Sequence, residues 1–327
     1  IHPASMSKLM TLYLLFDHLK KGLVKLDDAF PVSEKAWAHN EGSTMFVGID
    51  SKISVEDLIR GIIVQSGNDA CIVVAEGIAG TEEAFVEQMN EKAAEIGLTN
   101  SHFANSHGLE DPNHLMTVRD LATLGQRIYS EFPEYYHYFV EKEFEFNGIK
   151  QGNRNPLLYK DVGADGLKTG HLSVSGYGIA ASAKRGDRRI FVVIHGMDGA
   201  PSLADEVTSL VEWAFREFDN YTLAKAGDVI EQAPVWYGAE ETVPLTVASD
   251  LVATLPRTGR DQMEAKAAFE GPIPAPIKAG QQVGKLIITS PGYGSTEVPL
   301  VAGADVEKLG FFGRAIASLK HLIFSRG

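Results

Sequence analysis

The sequence predicts an α+β protein in which helices pack on an antiparallel sheet, followed by a small all-β domain and a C-terminal amphipathic helix. Three observations support this prediction. A block of helical patterns is followed by closely spaced β-type runs, proline and glycine become frequent from about Tyr221, and an amphipathic pattern begins near Leu309. We therefore expect domains at residues 1–220 and 221–304 and a terminal helix at 305–327.

Composition limits the classes of protein that fit. The 327 residues are 44% hydrophobic, which is enough for a substantial core in two domains. A net charge of -13 argues against non-specific nucleic-acid binding. Cys71 is the only cysteine, so no intrachain disulfide can form, and no Cys/His cluster has zinc-site spacing. We expect Cys71 to be inert core, and we expect no metal and no cofactor.

The length of the apolar runs and the first residue bear on whether the chain crosses or is exported across a membrane. No run of 18 or more apolar residues occurs, so no helix is predicted to span a membrane. The chain begins at Ile1 rather than methionine, and we expect any secretory signal of the gene to lie outside this sequence.

The first predicted element is a helix that starts near Pro3 and ends before Gly22. Residues 9–16 are apolar nearly all round, which indicates a buried helix. Ser5 and Lys8 are three residues apart at its start, so they lie on one face.

Helices dominate the block that follows. Ser54, with Asp57 three residues on, is predicted to cap a helix from Val55 to about Val64, which leads into a turn carrying Ser66 and Asn68. The other predicted elements of this block are a short strand or loop edge at Ser43–Val47, helices at Asp69–Ile78 and Glu82–Ile96, and a helix that begins after Thr117.

Strand patterns then replace the helical ones. The predicted strands are Glu141–Phe146, one that contains Lys168–Gly170, Tyr177–Ala183 and Arg189–Ile194, with a closing helix at Leu203–Phe218. Tight links between consecutive strands favour an antiparallel sheet. The following module contains β-branched runs such as Val283–Thr289 and no convincing catalytic set, so we interpret it as a spacer or stalk.

The final stretch, Leu309–Phe324, is amphipathic. Its apolar face consists of Phe312, Ile316, Leu319 and Ile323, and its positive charge comes from Arg314, Lys320, His321 and Arg326. A basic amphipathic helix suits the surface of an anionic bilayer. The alternative is a helix packed on its own protein, and we favour the membrane.

Three short motifs carry candidate chemistry. Ser5 is a candidate nucleophile with Lys8 as its base, because a serine hydroxyl needs a base and a lysine serves when burial lowers its pKa. We predict that Lys8 is largely neutral near pH 7. Taken alone, this pair also fits a helix start with a solvated lysine. Two later motifs change that interpretation: Ser66-Gly67-Asn68 and Lys168-Thr169-Gly170.

Together, and in this order, S-x-x-K, S-x-N and K-T-G resemble the active-site signature of penicillin-binding proteins and serine β-lactamases. The chain is most similar to the low-molecular-mass D-alanyl-D-alanine carboxypeptidases of the penicillin-binding protein 5 type. This resemblance covers nearly the whole chain, including the tail. It rests on the segments Pro3–Lys8, Gln65–Ala70, His107–Leu109, Asn153–Asn155, Asp165–His171 and Pro234–Gly238.

The resemblance implies a periplasmic enzyme, peripherally attached to the inner membrane through the C-terminal helix. Such an enzyme trims the terminal D-alanine from peptidoglycan stem peptides through an acyl-enzyme. It implies that Ser5 attacks the D-Ala-D-Ala carbonyl, that Lys8 takes its proton, and that Ser66 and Asn68 relay protons and hold the substrate amide. It also implies that β-lactam antibiotics acylate Ser5.

Further roles follow from the same resemblance. Backbone N–H groups of Ser5 and His171 would form the oxyanion hole. Lys168 and Thr169 would bind the substrate carboxylate. Gly170 would leave room for substrate to lie along the strand edge.

Two features depart from the family pattern. Family members carry an arginine near the start of the helix after the last core strand, where this chain reads Ser202-Leu203-Ala204-Asp205-Glu206. Either Lys168 and Thr169 suffice for the carboxylate, or Arg154 compensates, or specificity is altered. The family's sheet also begins with strands before the S-x-x-K helix, and we expect the sheet here to lack them.

Single residues outside the three motifs have plainer interpretations. His107 is expected to fix a loop by hydrogen bonding, and Arg154 to brace a strand rather than bind substrate. For the His171 side chain, a role in the site and no role remain equally open.

Two other functions compete. A class A-like β-lactamase needs a glutamate that activates the deacylating water, and Glu143-Phe144-Glu145-Phe146-Asn147 is only a near match to its usual motif and fits a strand better. A non-catalytic peptidoglycan-binding protein is compatible with the missing arginine and strands. All the catalytic side chains are present, so we rank it below the carboxypeptidase.

Overall fold

The computed structural model describes residues 1–258, 263–290, 294–313 and residue 315. The chain divides into two compact units, Ile1–Ala214 and a second that begins at Phe215. Each unit has its own hydrophobic core. The boundaries at 220 and 304 stay predictions.

Four helices of the first unit begin after a residue whose side chain caps them. Side chains of Ser33, Ser54, Thr81 and Thr117 each accept a hydrogen bond from a first-turn N–H. The helices are α1 (Lys8–Lys20), α2 (Glu34–Ala38), α3 (Val55–Arg60), α4 (Asn68–Ala79), α5 (Glu82–Glu95), α6 (Val118–Glu131) and α7 (Ala200–Glu217). Short 3-10 turns lie at Ala4–Ser7, Tyr136–Val140 and Pro156–Tyr159, and a π-turn lies at Gly61–Gln65.

Helix α1 is the centre of the first core. Its residues from Lys8 to Phe16 are all buried, as the apolar sequence predicts. Aromatic rings of Phe132, Tyr135 and Phe139 pack around Phe16. Burial of this kind places the side chain of Lys8 in an apolar environment.

The strands of the first unit form small antiparallel sheets. They are β1 (Ala29–Pro31), β2 (Lys52–Ser54), β3 (Glu143–Phe146), β4 (Ile149–Gly152), β5 (Ala164–Leu172), β6 (Gly176–Arg185) and β7 (Arg188–Met197). The largest has the order β5-β6-β7, with Lys168 opposite Ala180 and Ala181 opposite Val192. Strand β5 is therefore an edge strand among the described strands. The predicted antiparallel sheet is confirmed.

Helices cover one face of this sheet. Helix α6 approaches it closely at Gly125, where a Cβ would lie 2.6 Å from Leu167 Cδ1. Leu121, Leu124 and Ile128 of α6 belong to the same buried cluster as Leu167. The helical and strand layers thus share one core, as an α+β fold requires.

One local prediction left two alternatives open, and another needs correction. Of a short strand and a loop edge at Ser43–Val47, the structure has the loop, because the Asp69 carboxylate accepts hydrogen bonds from the N–H groups of Met45 and Val47. The helix predicted to reach Val64 ends as α3 at Arg60 and continues as the π-turn, so that Ser66 adopts a left-handed conformation with φ 60°.

The second unit is built from strands, which confirms the predicted all-β domain. They are β8 (Phe218–Ala224), β9 (Val229–Trp236), β10 (Thr242–Val247), β11 (Leu251–Pro256), β12 (Glu264–Ala268), β13 (Ile273–Pro274), β14 (Gln282–Ser290) and β15 (Gly294–Ala302). The described strands form a sheet of order β12-β14-β15-β10-β9-β13 and a pair β11-β8. Leu245, Leu286 and Leu300 lie in its core.

The predicted C-terminal helix lies almost entirely outside the described residues. Phe311 and Phe312, at its start, are exposed. Within the described part of the chain, no helix is long and apolar enough to cross a membrane.

Candidate active site

The start of α1 presents Ser5 on a tight turn. The turn Ala4–Ser7 precedes Lys8, and Ala4 has a φ of 52°, which is uncommon for a residue with a side chain. Gly108 packs directly behind this turn, since a Cβ there would lie 2.1 Å from the Ala4 carbonyl oxygen. The position of Ser5 is therefore set from both the helix and the loop behind it.

Lys8 is fully buried, and its Nζ meets three oxygen atoms. It lies 2.8 Å from Ser5 Oγ and 2.6 Å from Asn68 Oδ1, and it donates a further short hydrogen bond to the His107 carbonyl oxygen. The predicted pair of Ser5 and Lys8 is thus in hydrogen-bond contact. The amide and the carbonyl can only accept, whereas the serine hydroxyl can either accept or donate.

Burial lowers the pKa of Lys8 to about 8, while the nearby Asp69 carboxylate acts in the opposite direction. The predicted direction of the shift is confirmed. A pKa of about 8 still leaves the ammonium as the majority form at pH 7, so the prediction of a largely neutral lysine at that pH is wrong in extent. The three oxygen atoms around Nζ explain why an ammonium is tolerated there.

Ser66 and Asn68 flank the junction between the π-turn and α4. Asn68 Nδ2 donates to the Glu41 carbonyl oxygen at 2.8 Å, which fixes the amide so that its oxygen faces Lys8. Ser66 is 2% exposed, and its Oγ has no hydrogen-bond partner among the described residues. A buried hydroxyl without a partner requires an explanation, and a bound substrate would supply one.

Gly170 lies against the turn that carries Ser5. A Cβ on Gly170 would lie 2.8 Å from the Pro3 carbonyl oxygen and 3.1 Å from Ser5 N. The missing side chain therefore makes room for the turn that carries Ser5, and the room that it would leave for substrate along the strand edge stays a prediction. Strand β5 and Ser5 are brought together by this close approach.

Lys168 is buried beside the site. Burial, together with the charges of Lys8 and Arg154, holds the pKa of Lys168 well below its usual value. Its Nζ donates to the Thr169 carbonyl oxygen at 3.2 Å. No ion pair of Lys168 or Arg154 occurs among the described residues, so both cations lack a carboxylate partner there.

These elements enclose a cavity of about 450 Å³. Its lining consists of Ser5, Gly42, Ser43, Ser66, Arg154, Pro156, Thr169, Gly170, His171, Tyr177, Ala200 and Leu203. The predicted residues Ser5, Ser66, Arg154, Thr169, Gly170 and His171 are thus brought together, while Lys8, Asn68 and Lys168 lie buried next to them. No carboxylate lines the cavity, although the chain as a whole is acidic.

The single residues outside the three motifs have distinct positions. Arg154 lies in a loop, faces the cavity and donates to Ser43 Oγ, so it does not brace a strand as predicted. His107 fixes its loop, as predicted, because its Nδ1 accepts from the N–H of Leu109 at 3.2 Å. The His171 ring stacks on Tyr177 with ring centroids 3.9 Å apart.

Several contributors were missed by reasoning from sequence. Ser43 and Tyr177 line the cavity but belong to no short motif. At the position of the family's arginine, α7 contributes Ala200 and the buried Leu203, so this wall carries no cation. The contact between Lys8 and position 107 uses a backbone carbonyl, which no side-chain pattern could reveal. Among the described residues, no group of three metal-ligating side chains is placed to bind a metal.

A serine held against a buried lysine, beside an edge strand and a cavity with two unpaired cations, defines an acyl-transferring serine hydrolase. Comparison with known proteins is consistent with this class. The sequence profile of the D-alanyl-D-alanine carboxypeptidases matches residues 1–199, and that of the penicillin-binding protein 5 C-terminal domain matches residues 218–308.

Individual relatives and solved structures match the same family. The chain is 38% identical to D-alanyl-D-alanine carboxypeptidase DacA of Haemophilus influenzae, over 96% of this chain and 81% of the relative. The crystal structure of penicillin binding protein 5 from Haemophilus influenzae matches with a TM-score of 0.86 and 36% identity, covering 94% of this chain and 91% of that one. Penicillin-binding protein D2 from Listeria monocytogenes in its ampicillin-bound form matches with a TM-score of 0.59 and 25% identity, covering 65% of this chain and 86% of that one.

The chain therefore belongs to the D-alanyl-D-alanine carboxypeptidase family of serine hydrolases. This membership favours the carboxypeptidase over the two competing functions. Its substrate class is peptidoglycan, a component of the cell wall, which is consistent with a location outside the cytoplasm.

Proposed function

We propose that Ser5 is the nucleophile that removes the terminal D-alanine from peptidoglycan pentapeptides, with Lys8 as its general base. The contact of Lys8 Nζ with Ser5 Oγ at 2.8 Å carries this proposal. When Lys8 loses a proton, its two remaining N–H groups stay with Asn68 Oδ1 and the His107 carbonyl, which cannot donate. The lone pair is then directed at the Ser5 hydroxyl.

Acylation follows from this arrangement. Ser5 Oγ forms a bond to the carbonyl carbon of the penultimate D-alanine as its proton passes to Lys8 Nζ. The bond to the leaving amine then breaks, and that amine takes a proton. We assign the delivery of this proton to Ser66, because its buried Oγ has no partner among the described residues, and Ser66 regains a proton from the Lys8 ammonium. Water later attacks the ester, releases the shortened peptide and restores Ser5.

The developing oxyanion needs donors near Ser5. We assign this role to the backbone N–H groups of Ser5 and His171, which belong to the turn and to strand β5. Gly170 sets their separation, because it lets the strand approach the turn within the distances given above. Asn68 would hold the substrate amide.

The substrate carboxylate would meet Lys168, Thr169 and Arg154. Arg154 lines a cavity without a carboxylate, and Lys168 lies buried next to it, so an incoming anion would supply the negative partner that both side chains lack among the described residues. Arg154 enters this role because α7 presents only Ala200 and Leu203 to the cavity.

β-Lactams would acylate Ser5 by the same route, since they present a strained amide and, like the peptide substrate, a carboxylate. The structural neighbour from Listeria monocytogenes was solved in an ampicillin-bound form, which supports this proposal. Intact-protein mass spectrometry after incubation with benzylpenicillin tests it. We expect a lasting adduct on the parent and none on Ser5→Ala. A folded parent that gains no adduct and leaves penicillin intact would contradict the proposed function.

We further propose that the enzyme is periplasmic and attaches to the inner-membrane surface through residues 309–327. The support is the sequence pattern of that segment, which combines one apolar face with four basic side chains in an acidic chain. Flotation with anionic vesicles should retain the full chain and lose a variant that ends at residue 308. Equal retention of both proteins would contradict the attachment.

A further inference from the structure

A buried polar cluster connects to Lys8 through the His107 carbonyl, and its side chains take no part in the mechanism above. It consists of Glu82, Ser106 and His107. Glu82 is the first residue of α5 and is only 8% exposed. Its Oε1 accepts hydrogen bonds from the backbone N–H of Ser106 at 3.0 Å and from Ser106 Oγ at 2.7 Å. One carboxylate oxygen thus holds both polar groups of the same residue.

The backbone held in this way carries the oxygen that contacts Lys8. The Ser106 carbonyl accepts from Thr11 Oγ1 at 2.6 Å, and the His107 carbonyl accepts from Lys8 Nζ. Thr11 and Lys8 lie one turn apart on α1. The carbonyls of Ser106 and His107 therefore both face α1. Glu82 holds the first of these two residues directly.

Hydrogen bonds and a neighbouring ammonium stabilise the charge of the Glu82 carboxylate. Burial acts to raise the pKa of the Glu82 carboxyl, but hydrogen bonds from Ser106 and Lys35 outweigh it, so the pKa lies below its usual value. Lys35 Nζ lies 2.9 Å from Glu82 Oε2. The carboxylate is therefore ionised at neutral pH, which strengthens its hold on Ser106.

His107 completes the cluster as a neutral ring. Burial, and next the charge of Lys8, lower its pKa to about 3. Since its Nδ1 accepts from the N–H of Leu109, its proton is on Nε2, which lies 3.6 Å from Glu82 Oε1. The Nε2–H group thus lies close to the same carboxylate oxygen that holds Ser106.

We propose that Glu82 is a positioning residue for the reaction: through Ser106 it holds the His107 carbonyl that fixes Lys8 Nζ against Ser5. This inference rests on the proposed function of Lys8 as the base. A lysine amine on a four-carbon chain has many rotamers, and the His107 carbonyl is one of the two acceptors that direct its lone pair. Displacement of that carbonyl would misalign the base while the cavity stays intact.

The test is the rate of acylation by benzylpenicillin, followed by rapid quenching and intact-mass measurement on the full chain. Varying the penicillin concentration separates the first-order acylation constant from the dissociation constant of the non-covalent complex. For Glu82→Ala we expect the acylation constant to fall about 10- to 100-fold, with the dissociation constant unchanged within about twofold. A purely structural role would change neither constant in the folded protein.

Two variants of matched chemistry sharpen the comparison. Glu82→Gln keeps an oxygen that can accept both Ser106 hydrogen bonds, so we expect it to recover acylation to within about fivefold of the parent. Glu83→Ala removes the neighbouring carboxylate, which also bonds Lys35 but does not contact Ser106, and we expect parental constants. A Glu83→Ala variant as slow as Glu82→Ala would overturn the proposal.

Ser106→Ala covers the case in which Glu82→Ala does not fold. It removes the 2.7 Å hydrogen bond but keeps the one from the backbone, and we expect acylation about 3- to 10-fold slower than in the parent. If Glu82→Ala folds and is acylated at the parental rate, the positioning role is overturned. If Glu82→Ala does not fold, parental acylation of Ser106→Ala overturns it instead. Either result leaves the proposed function intact. Absence of any adduct on the parent would instead overturn the proposed function and this inference with it.

Discussion

At the scale of single residues, the burial of Lys8 sets its pKa and so its protonation state. Its pKa of about 8 is a compromise between the apolar surroundings, which favour the amine, and three oxygen acceptors, which tolerate the ammonium. The amine is the form that can take a proton from Ser5. Lys8 is therefore a mixture of amine and ammonium whose proportions change over the physiological pH range.

The acylation rate should follow this titration. Below pH 8 the amine fraction of Lys8 rises about tenfold per pH unit, and above its pKa the fraction levels off. We expect the second-order constant for benzylpenicillin to rise from pH 6 to about 8 and then to flatten. Stopped-flow or quenched mass measurements between pH 6 and 9.5 would show this profile.

Lys8→Arg serves as the control, because a guanidinium stays protonated throughout that range. We expect its acylation to be about 10²- to 10⁴-fold slower than in the parent, without the rise toward pH 8. A flat profile for the parent would exclude Lys8 as the titrating base.

Arg154 decides how the cavity recognises a carboxylate. Three alternatives follow from sequence, and the position of Arg154 on the cavity wall favours compensation for the absent arginine. We expect Arg154→Ala to raise KM about tenfold for a peptide ending in a free D-Ala-D-Ala carboxylate, in line with the loss of one charge-assisted hydrogen bond.

The same peptide with an amidated C-terminus provides the matched measurement. Because it lacks the negative charge, Arg154→Ala should change its KM by less than about twofold. If KM rises equally for both peptides, the role of Arg154 is instead to maintain the conformation of the loop that contains Ser43, through its hydrogen bond to Ser43.

At the scale of elements, the contact between β5 and the nucleophile turn determines the geometry of the site. Gly170 allows the strand backbone to lie against Pro3 and Ser5. On the other side, Gly108 allows the loop after Ser106 to lie against Ala4. The turn is thus held between a strand and a loop, and neither neighbour has room for a side chain at the contact.

Gly170→Ala should separate strand and turn. The added Cβ would lie 2.8 Å from a backbone oxygen, so one element must move by several tenths of an ångström. We expect acylation about 10²-fold slower than in the parent, because donors and nucleophile lose their alignment. Penicillin acylation rates and the melting temperature would be measured together.

A strand glycine with free space is the control. In Gly152→Ala the nearest atom to the new Cβ is the Tyr159 hydroxyl oxygen at 3.7 Å, an ordinary contact. We expect parental acylation from this variant. Parental acylation from Gly170→Ala as well would mean that the close approach is not needed for alignment.

At the scale of the whole molecule, the chain consists of two units with separate cores. The described residues of the second unit bury a set of apolar side chains on the strands of their own sheet. A domain with its own core is expected to fold alone.

The fragment 218–308 should therefore unfold cooperatively by itself, with a free energy of unfolding of about 5–10 kcal/mol. Urea denaturation followed by circular dichroism would measure it. The fragment should not react with benzylpenicillin, since Ser5, Lys8 and Ser66 are all in the first unit. A fragment without a cooperative transition would show that its core depends on the first unit.

Much of the fold follows from local sequence. Ser54, Thr81 and Thr117 cap helices where their spacing to an acidic or apolar first turn predicts it. Within the described residues, the helices and strands predicted from periodicity occur with small shifts at their ends. Ser43–Val47, where the sequence allows a short strand or a loop edge, is a loop because the carboxylate that holds it is on Asp69, outside the pattern of the segment itself.

The sequence by itself determined the three motifs, their order and the family, because these depend on residues close together in the chain. Only the tertiary structure decided how far the pKa of Lys8 falls, that Gly170 lies against the turn of Ser5, and that Glu82 connects to Lys8 through Ser106 and the His107 carbonyl. The physical reason is distance along the chain. Lys8 contacts residues 60 and 99 positions away, and Glu82 contacts one 24 positions away, so no local pattern encodes these contacts.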